Sequence, residues 1–424
     1  MSKVILLKNG RIIDPSQQKD GVVDLWVKDG RIAPPQSPNE QGIEIYDVSG
    51  CWVVPGLIDM HVHLREPGEE YKETIESGCR AAAAGGFTAV ACMPNTDPVN
   101  DNSSVTRYIL EKASSCAARV YPVGSISQQS KGEKLAEYGE MKLAGAVAVT
   151  DDGRPVVDSR LMRRAMEYAA SHGLLVMSHS EELALTRGGC MNEGEISTRL
   201  GLRGIPAAAE SIMVYREIAL AELTGARVHI SHVSTRQSLA LIREAKARGV
   251  RITAETAPHY FTLTDRAVLG FDTNAKMNPP LRTEMDRQAI REALREGVLD
   301  AIATDHAPHS ILQKEVEFNM AANGIIGLET SLPLALALVR EGIVRPDRLI
   351  DLMSCAPARI LGVPGGTLQP GAVADITVID PEKSFIYSVE ESFSKSRNSP
   401  FAGWQLQGKA VMTFMAGRIT HSDQ

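Results

Sequence analysis

The chain has 424 residues, of which 43% are hydrophobic and 23% are charged, so it can bury a large core and is not a disordered chain. Its 45 lysines and arginines stand against 52 aspartates and glutamates, which gives a net charge of −7. This balance argues against a nucleic-acid-binding face and favours a protein whose substrate or ligand is a small molecule.

The first residues carry no apolar core followed by a small-residue cleavage site, which predicts that there is no secretory signal peptide. The longest apolar stretch, at 81–93, is interrupted by Gly85 and Gly86 and is too short to cross a bilayer. Six cysteines lie far apart without a C-x-x-C pair, as is typical of reduced thiols. We therefore expect a cytoplasmic protein that binds neither membrane nor nucleic acid.

Both ends of the chain predict short β-strands. Apolar runs flank a two-residue turn in VILLKNGRII (4–13), DLWVKDGRIA (24–33) and VMTFMAGRIT (411–420), and a further strand-like run covers 372–380. The Asn9-Gly10 and Asp29-Gly30 pairs are strong hairpin signals because such a turn needs positive φ, and Ala416-Gly417 is a weaker one. We infer one small β-sandwich domain built from residues 1–52 and 365–424.

The middle of the chain repeats a strand–helix unit eight times. The apolar runs lie at 52–60, 86–93, 119–124, 145–150, 173–178, 226–231, 250–255 and 299–304. Near-continuous apolar strands are typical of a parallel sheet covered on both faces, and helical patterns such as 159–171 and 234–248 separate them. Pro122 fits its run poorly because proline cannot donate to the ladder. The pattern predicts an α/β fold with a TIM-like (β/α)8 barrel over residues 53–364.

Polar residues follow the predicted strand ends, where barrel enzymes place their active sites. They are His61, His63, Asn95, Asp151, Asp152, His179, His232, Asp305 and His306. Alternate side chains of a strand share a face, so His61 and His63 can converge on one ion. Imidazoles and carboxylates without thiolates suit zinc or a similar divalent metal. The alternative is a set of strand caps satisfied by loop amides. His229, on the other face from His232, is expected to pack against a helix.

Five segments resemble one enzyme family. DMHVHLREPG (59–68), MPNT (93–96), TDDG (150–153), TDHAPH (304–309) and GLET (327–330) look like the type I dihydroorotases of the metal-dependent amidohydrolase superfamily. The H-x-H pair alone would indicate only the superfamily, whereas the other segments are more specific. The resemblance implies a cyclic amide hydrolase that interconverts N-carbamoyl-L-aspartate and (S)-dihydroorotate in de novo pyrimidine biosynthesis.

The same resemblance implies one or two zinc ions (Zn2+) and assigns roles to residues. The implied metal ligands are His61, His63, Asp152, His179, His232 and Asp305. Asp152 would bridge two ions, and Asp305 would also be the catalytic base and then acid for a hydroxide that zinc supplies. The implied substrate-binding residues are His63, Leu64, Arg65, Asn95, Asn278, His309, Asn323 and Gly324. The planar guanidinium of Arg65 suits bidentate capture of a carboxylate.

Two alternatives stay open. The first is another cyclic amidase, an allantoinase or hydantoinase, although many of those relatives carry a carboxylated lysine where this chain has Asp152. The second is an inactive scaffold subunit of aspartate transcarbamoylase, although such relatives lose metal ligands and this chain keeps six. An active enzyme that binds the transcarbamoylase, and a homo-oligomer, are also expected. Residues 310–326 depart from the family pattern in SILQKEVEF (310–318) and Asn323-Gly324, in a loop expected to cover the site.

Overall fold

The structure is a computed structural model that describes residues 3–35 and 42–423. Its strands are β1 (Val4–Lys8), β2 (Arg11–Asp14), β3 (Lys19–Val22), β4 (Leu25–Lys28), β5 (Arg31–Ala33), β6 (Ile43–Asp47), β7 (Trp52–Pro55), β8 (Leu57–Val62), β9 (Phe87–Cys92), β10 (Arg119–Gly124), β11 (Ala148–Val149), β12 (Leu175–Ser178), β13 (Met191–Asn192), β14 (Gly204–Ile205), β15 (Val228–Ile230), β16 (Ile252–Thr256), β17 (Ala301–Ile302), β18 (Ile376–Ile386), β19 (Gln405–Met415) and β20 (Arg418–Ser422).

The helices are α1 (Ile75–Ala84), α2 (Ser103–Ala113), α3 (Tyr138–Ala144), α4 (Ser159–Ser171), α5 (Leu183–Thr186), α6 (Glu195–Leu200), α7 (Ala208–Thr224), α8 (Arg236–Ala247), α9 (Pro258–Thr262), α10 (Glu284–Glu296), α11 (Ile311–Lys314), α12 (Ser331–Arg340), α13 (Pro346–Ile350) and α14 (Ala356–Leu361). A π-helical turn, Asp351–Cys355, joins the last two. Short 3-10 turns lie at Pro15–Gln17, Gln128–Ser130, Asp265–Val268, Thr273–Ala275 and Val389–Glu391. None of the helices in the described residues has the length and apolar character needed to span a bilayer.

Strands from the two chain ends form two sheets that pack against each other. The first sheet has the order β5-β4-β1-β6 and the second the order β20-β19-β18-β7-β2-β3. Buried apolar side chains of both sheets share one cluster, which includes Ile5, Leu7, Val27, Ile12, Val378 and Phe414. The predicted β-sandwich built from both chain ends is confirmed. The domain boundaries, residues 1–52 with 365–424 and residues 53–364, stay a prediction.

Two of the three predicted hairpin turns are confirmed and one is wrong. Asp29-Gly30 joins the antiparallel strands β4 and β5, and Ala416-Gly417 joins β19 and β20. Asn9-Gly10 turns the chain, with Asn9 at φ 65°, but it connects two different sheets. The reason is that β1 already pairs with β4 on one side and β6 on the other, so it has no free edge for β2.

Eight parallel strands form the predicted TIM-like barrel. The order is β17-β16-β15-β12-β11-β10-β9-β8, and the ring is nearly closed by a parallel bridge between Val62 and His306. At this seam the His63 N–H donates to the His306 carbonyl over 2.8 Å. Pro122 is accommodated in β10, where its carbonyl accepts from the Val147 N–H over 3.0 Å. All eight predicted runs therefore contribute a barrel strand.

The first run, 52–60, is two strands and not the single strand that its apolar pattern predicts. Residues of β7 pair with β18 and β2 in the sandwich, whereas β8 pairs with β9 in the barrel. The change of sheet falls at Gly56, where a Cβ atom would lie 2.3 Å from Thr88 Oγ1. Continuous apolar character cannot separate the two strands because both are buried on both faces.

Side chains alternate between two apolar clusters along the barrel strands, as strand geometry requires. On β9, Val90 and Cys92 belong to the cluster shared with the surrounding helices. Ala89 and Ala91 belong to a second cluster that other barrel strands share with α14. The predicted helix over 159–171 is α4, which begins after the N-cap Asp158. Both faces of the strands are thus largely covered by apolar side chains.

Candidate active site and metal centre

A cavity of about 220 Å³ lies at the carboxyl ends of the barrel strands. It brings together ten predicted site residues: His63, Arg65, Asn95, Asp152, His179, His232, Asn278, Asp305, His309 and Asn323. Gly153, Met277 and Ala307 complete its lining. Residues that lie up to 260 positions apart in the chain therefore share one small polar space, because every strand of a parallel barrel ends at the same rim.

The carboxylate of Asp152 lies at the centre of four imidazoles. Its oxygens lie 3.4 Å from His61 Nε2, 3.4 Å from His63 Nε2, 3.6 Å from His179 Nδ1 and 3.5 Å from His232 Nε2. Asp152 thus belongs to two triplets of possible metal ligands, one with His61 and His63 and the other with His179 and His232. Within each triplet the ligand atoms lie within 4.8 Å of one another.

The hydrogen-bonding state of these atoms fits one or two cations. His61 Nε2 and Asp152 Oδ1 are buried without a hydrogen-bond partner. His179 Nδ1 faces His232 Nε2 at 2.8 Å, and two ring nitrogens that close repel unless a proton or a cation lies between them. Imidazole and carboxylate donors without thiolate are the ligands of zinc and similar divalent ions. The residues present therefore form a possible metal site.

Two glutamates that the sequence interpretation missed orient the imidazoles. Glu255 Oε1 lies 3.0 Å from His61 Nδ1, and Glu181 Oε2 lies 2.8 Å from His179 Nε2. A carboxylate can only accept, so each ring donates an N–H to its glutamate and turns the opposite ring nitrogen towards the cavity. Glu181 lies two residues after His179, which was the only available signal. Glu255 ends an apolar run and gave none.

His229 was predicted to pack against a helix, and this is wrong. Its Nε2 lies 3.2 Å from Glu255 and its Nδ1 lies 2.8 Å from the Thr253 hydroxyl. The ring therefore lies behind the carboxylate that orients His61. Strand alternation does turn His229 away from His232, but the neighbouring parallel strand supplies polar partners on that face.

Asp305 lies on the other side of the first triplet. Its Oδ1 is 3.3 Å from His63 Nε2 and 3.6 Å from His61 Nε2. Burial raises the pKa of this carboxyl, but the charge of His61 and the hydrogen bond of His63 outweigh burial and lower it. The same is true of the pKa of Asp152, which lies well below the usual range because of His61, His179 and His232. Both carboxyls are thus held ionised.

Three residues at the rim of the barrel have positive φ angles, which residues other than glycine rarely adopt. The φ angles are 61° at Arg65, 37° at His232 and 48° at Asp305. Such strain persists only where the surroundings impose it, and it clusters at functional sites. All three residues lie two or three positions after the end of a barrel strand. Strained backbone thus occurs at three of the positions that line the cavity.

Arg65 is a buried cation with few partners. It is 8% exposed, its Nε donates to the Pro308 carbonyl over 3.2 Å, and its nearest carboxylate, Glu69, lies 3.9 Å away. Asn95 lies beside it, with its Nδ2 donating to the Asp152 carbonyl and its Oδ1 buried without a partner. Most of the guanidinium donors thus remain available to an anion in the cavity.

His309 lies on the same side of the cavity, in the neutral form. Burial and then the charge of Arg65 lower the pKa of His309 to about 3. Its Nε2 lies 2.9 Å from the Asn323 carbonyl, and because a carbonyl can only accept, this contact places the ring's proton on Nε2. Asn278 completes this wall, and its amide donates to Glu181 over 3.0 Å.

Three predicted site residues do not line the cavity. His61 lies beneath it and reaches it only through Asp152 and Asp305. The Leu64 side chain packs in the hydrophobic core against Gly78, where an added Cβ would lie 2.4 Å from Leu64 Cδ2. Gly324 contributes only backbone, and its carbonyl accepts from Asn398 Nδ2 over 2.9 Å. The 310–326 segment borders the cavity through Asn323, and its role as a cover stays a prediction.

Several known proteins resemble this chain. The family described as "Dihydro-orotase-like" matches residues 50–238. A "Dihydroorotase" from Desulfotalea psychrophila is 67% identical over 418 residues and covers 99% of both chains. A "Dihydroorotase" from Geobacter metallireducens is 58% identical over 98% of this chain and 99% of the relative.

The solved structures show the same fold at lower identity. An L-hydantoinase (dihydropyrimidinase) from Arthrobacter aurescens superposes with a TM-score of 0.89 at 24% identity, covering 100% of this chain and 96% of that one. A dihydropyrimidinase from Brevibacillus agri has a TM-score of 0.85 at 24% identity, with 100% and 95% covered. With the high identity to the curated relatives over nearly the full length, the chain belongs to the dihydroorotase family of cyclic amide hydrolases.

Proposed function

We propose that the chain is a zinc-dependent dihydroorotase that interconverts N-carbamoyl-L-aspartate and (S)-dihydroorotate reversibly in de novo pyrimidine biosynthesis. One observation carries this proposal: a carboxylate shared by four imidazoles lies in the same cavity of about 220 Å³ as a buried arginine with few partners. The first feature suits hydrolysis of an amide, and the second suits a substrate that bears a carboxylate.

The metal ligands in this proposal fall into two groups around Asp152. His61, His63 and Asp305 would hold one ion, and His179 with His232 would hold a second. The interatomic distances of 3.3 to 3.6 Å between these imidazoles and carboxylates leave the pairs close enough to share a cation. The chemistry that zinc would supply at these residues is Lewis acidity, which would bring the pKa of water to about 7 and polarise the amide carbonyl.

Asp305 is the proposed general base and acid. Its ionised carboxylate would accept a proton from the attacking water as the C–O bond forms, and would deliver it to the ring nitrogen as the C–N bond breaks. Ring opening creates a second carboxylate, so it releases a proton near neutral pH. Alkaline conditions therefore favour the open chain, and more acidic conditions favour the ring.

The carboxylate pocket in this proposal consists of Arg65, Asn95 and His309. The guanidinium would bind the substrate carboxylate through two parallel hydrogen bonds. Neutral His309 adds no charge of its own, so selectivity for an anion rests on Arg65. Asn278 and Asn323 would contact the ring, whereas Leu64 and Gly324 could contribute only through their backbones. A dihydropyrimidine without a carboxylate would leave this buried cation unpaired.

The alternatives lack comparable support. If the chain were an allantoinase or hydantoinase, the buried Arg65 would have no substrate carboxylate to bind. In addition, Asp152 occupies the position at which many of those enzymes carry a carboxylated lysine. An inactive scaffold subunit of aspartate transcarbamoylase would not need all six ligands to converge. Association with that transcarbamoylase, a homo-oligomeric state and a cytoplasmic location remain predictions.

The test combines metal analysis with a substrate panel. Purified protein should contain one or two zinc ions per chain and hydrolyse dihydroorotate, with little turnover of dihydrouracil, hydantoin or allantoin. Rapid turnover of hydantoin or allantoin but not dihydroorotate would overturn the proposal. Size-exclusion chromatography with and without aspartate transcarbamoylase tests the expected partner and the oligomeric state.

A further inference from the structure

Two lysines beside the cavity have no role in the chemistry above and are almost completely buried. Lys276 is 4% exposed and Lys314 is 3% exposed. In residues 3–35 and 42–423 neither forms an ion pair, and the charges that face Lys314 are Lys276 and, more weakly, Asp272. Lysine is rarely buried unless it is paired, so these two ammonium groups need a compensating interaction.

That interaction is a set of main-chain carbonyls from one short segment, residues 319–324, which we name the Asn323 segment. Lys276 Nζ donates to the Asn319 carbonyl over 3.0 Å and to the Ala321 carbonyl over 2.6 Å. Lys314 Nζ donates to the Ala322 carbonyl over 2.8 Å and to the Gly324 carbonyl over 3.1 Å. Four carbonyls of a segment without helix or strand therefore accept from two lysine side chains, and one of them, that of Gly324, also accepts from Asn398.

These hydrogen bonds lie on both sides of Asn323, the residue of the segment that lines the cavity. The carbonyls on both sides of Asn323 bind Lys314, and the Gly324 N–H donates to the Lys276 carbonyl over 2.9 Å. The Asn323 carbonyl itself accepts from His309 Nε2 over 2.9 Å. Lys276 is also followed directly by Met277 and Asn278, which line the cavity. One network thus connects the two lysines with His309, Asn278 and Asn323.

We propose that Lys276 and Lys314 are positioning residues that hold the Asn323 segment so that Asn323 and His309 face the substrate's carboxylate and ring. This inference rests on the proposed function for the identity of the ligand. Neither lysine lines the cavity, so neither is expected to touch the substrate. Contacts to the non-reacting carboxylate act equally in the ground and transition states, so their loss affects KM more than kcat.

The test uses Lys314→Met and Lys276→Met with Lys246→Met as the matched control. Lys246 also donates to loop carbonyls, those of Gly297 and Val298, but it lies at the other end of the barrel. Hydrogen–deuterium exchange, steady-state kinetics with dihydroorotate and bound metal are measured for each. For the two site variants we expect about tenfold faster exchange over 319–326, about tenfold higher KM, kcat within about threefold and unchanged metal.

Unchanged exchange over 319–326, unchanged KM, or an equal rise of KM in Lys246→Met would overturn the inference. Should a methionine variant fail to fold, Lys314→Gln is measured in the same way, since its amide has fewer donors and a shorter reach. The exchange experiment needs no substrate. If the unmodified enzyme does not turn over dihydroorotate, the proposed function is wrong. The exchange rates over 319–326 still show whether the two lysines hold the Asn323 segment.

Discussion

At the scale of single residues, Asp152 shows that each buried charged or polar group of the site is stabilised by its neighbours. Its carboxylate is buried, which is costly for a charge that has no partner. Four imidazoles within 3.6 Å supply the compensation, and Glu255 and Glu181 in turn orient two of them. Removal of any one group leaves another buried charge or lone pair unsatisfied. Effects of substitutions in this cluster will therefore not be additive.

Asp305→Asn should keep the fold and lose turnover. The amide cannot accept the proton from water, and removal of a general base typically costs 10² to 10⁴ in rate. We expect kcat for dihydroorotate to fall by at least about 100-fold, with metal content measured in parallel. Asp300→Asn is a suitable control because Asp300 lies five residues earlier and binds Lys246 at 2.6 Å, away from the cavity. Near-normal turnover by purified Asp305→Asn would contradict its assigned role.

Arg65→Met should remove selectivity for the carboxylate. The side chain keeps much of its length and loses its charge, so the substrate anion would be buried without a partner at a cost of about 3 kcal/mol. We expect kcat/KM for dihydroorotate to fall by more than about 100-fold. Turnover of dihydrouracil, which has no carboxylate, should change far less. A loss below about threefold for dihydroorotate would show that Arg65 does not bind the substrate.

At the scale of elements, the passage from β7 to β8 places the site. The chain leaves the sandwich after Pro55 and enters the barrel at Leu57, and His61 and His63 follow at the end of that strand. Gly56 allows the close approach to Thr88, with no room for a Cβ atom. The packing at Gly56 therefore fixes where the chain passes from the sandwich sheet to the barrel, and so where His61 and His63, two proposed metal ligands, begin to enter the site.

Gly56→Ala should destabilise the protein by about 1–3 kcal/mol because the added methyl overlaps the Thr88 side chain. Denaturant unfolding measures the change. Gly21→Ala is the matched control, since Gly21 also lies in a strand and a Cβ there meets nothing within 4 Å. We expect the control to change stability by no more than about 0.5 kcal/mol. Equal stability of the two variants would show that the barrel adjusts freely at this point.

The α11 element carries a pH-dependent contribution to stability through Lys314. Burial and then the charge of Lys276 lower the pKa of Lys314 from 10.5 to about 7. Between these values the unfolded chain binds more protons than the folded one, so stability rises with pH across that window. The unfolding free energy of the unmodified protein should therefore increase relative to Lys314→Met between about pH 7 and about pH 10. A constant difference across this range would contradict the lowered pKa.

At the scale of the whole molecule, the barrel concentrates charge at one rim. Apolar clusters cover both faces of the eight barrel strands. The first strand and the segment after the last strand meet at the bridge between Val62 and His306. His306 lies between Glu73 at 3.2 Å and the Gly327 N–H at 3.1 Å. The closing seam thus joins the H-x-H motif to the Asp305 segment and to the GLET loop.

Removal of metal should affect stability as well as activity. Without a cation, Asp152, Asp305 and the imidazole lone pairs face one another in a buried space, and a ligand that binds only the folded state stabilises it. We expect chelation to abolish turnover and to lower Tm by about 5 °C. Zinc should restore both properties, with magnesium as the comparison ion. Full activity after exhaustive chelation would contradict a metal-dependent mechanism.

The sequence by itself determined the architecture and the main participants of the site. Apolar runs report burial on both faces of a strand, so all eight barrel strands could be located, and two of the three turn pairs were placed correctly. The H-x-H pair and the polar residues after strand ends predicted six of the cavity's lining residues, because every parallel strand delivers its last side chains to one rim. The other four, Arg65, Asn278, His309 and Asn323, were implied only by the resemblance to a known family. These signals are local and need no knowledge of partners.

The tertiary structure alone decided how those residues are supported. Glu255 reaches His61 across 194 positions of the chain, and Lys314 matters only because the Asn323 segment folds back over it. The division of residues 52–60 between two sheets and the passage of Asn9-Gly10 from one sheet to the other likewise depend on which edges are already paired. The periodicity of apolar residues in the sequence indicates whether a side chain is buried. Which residues that side chain contacts is determined by how the barrel and the sheets assemble.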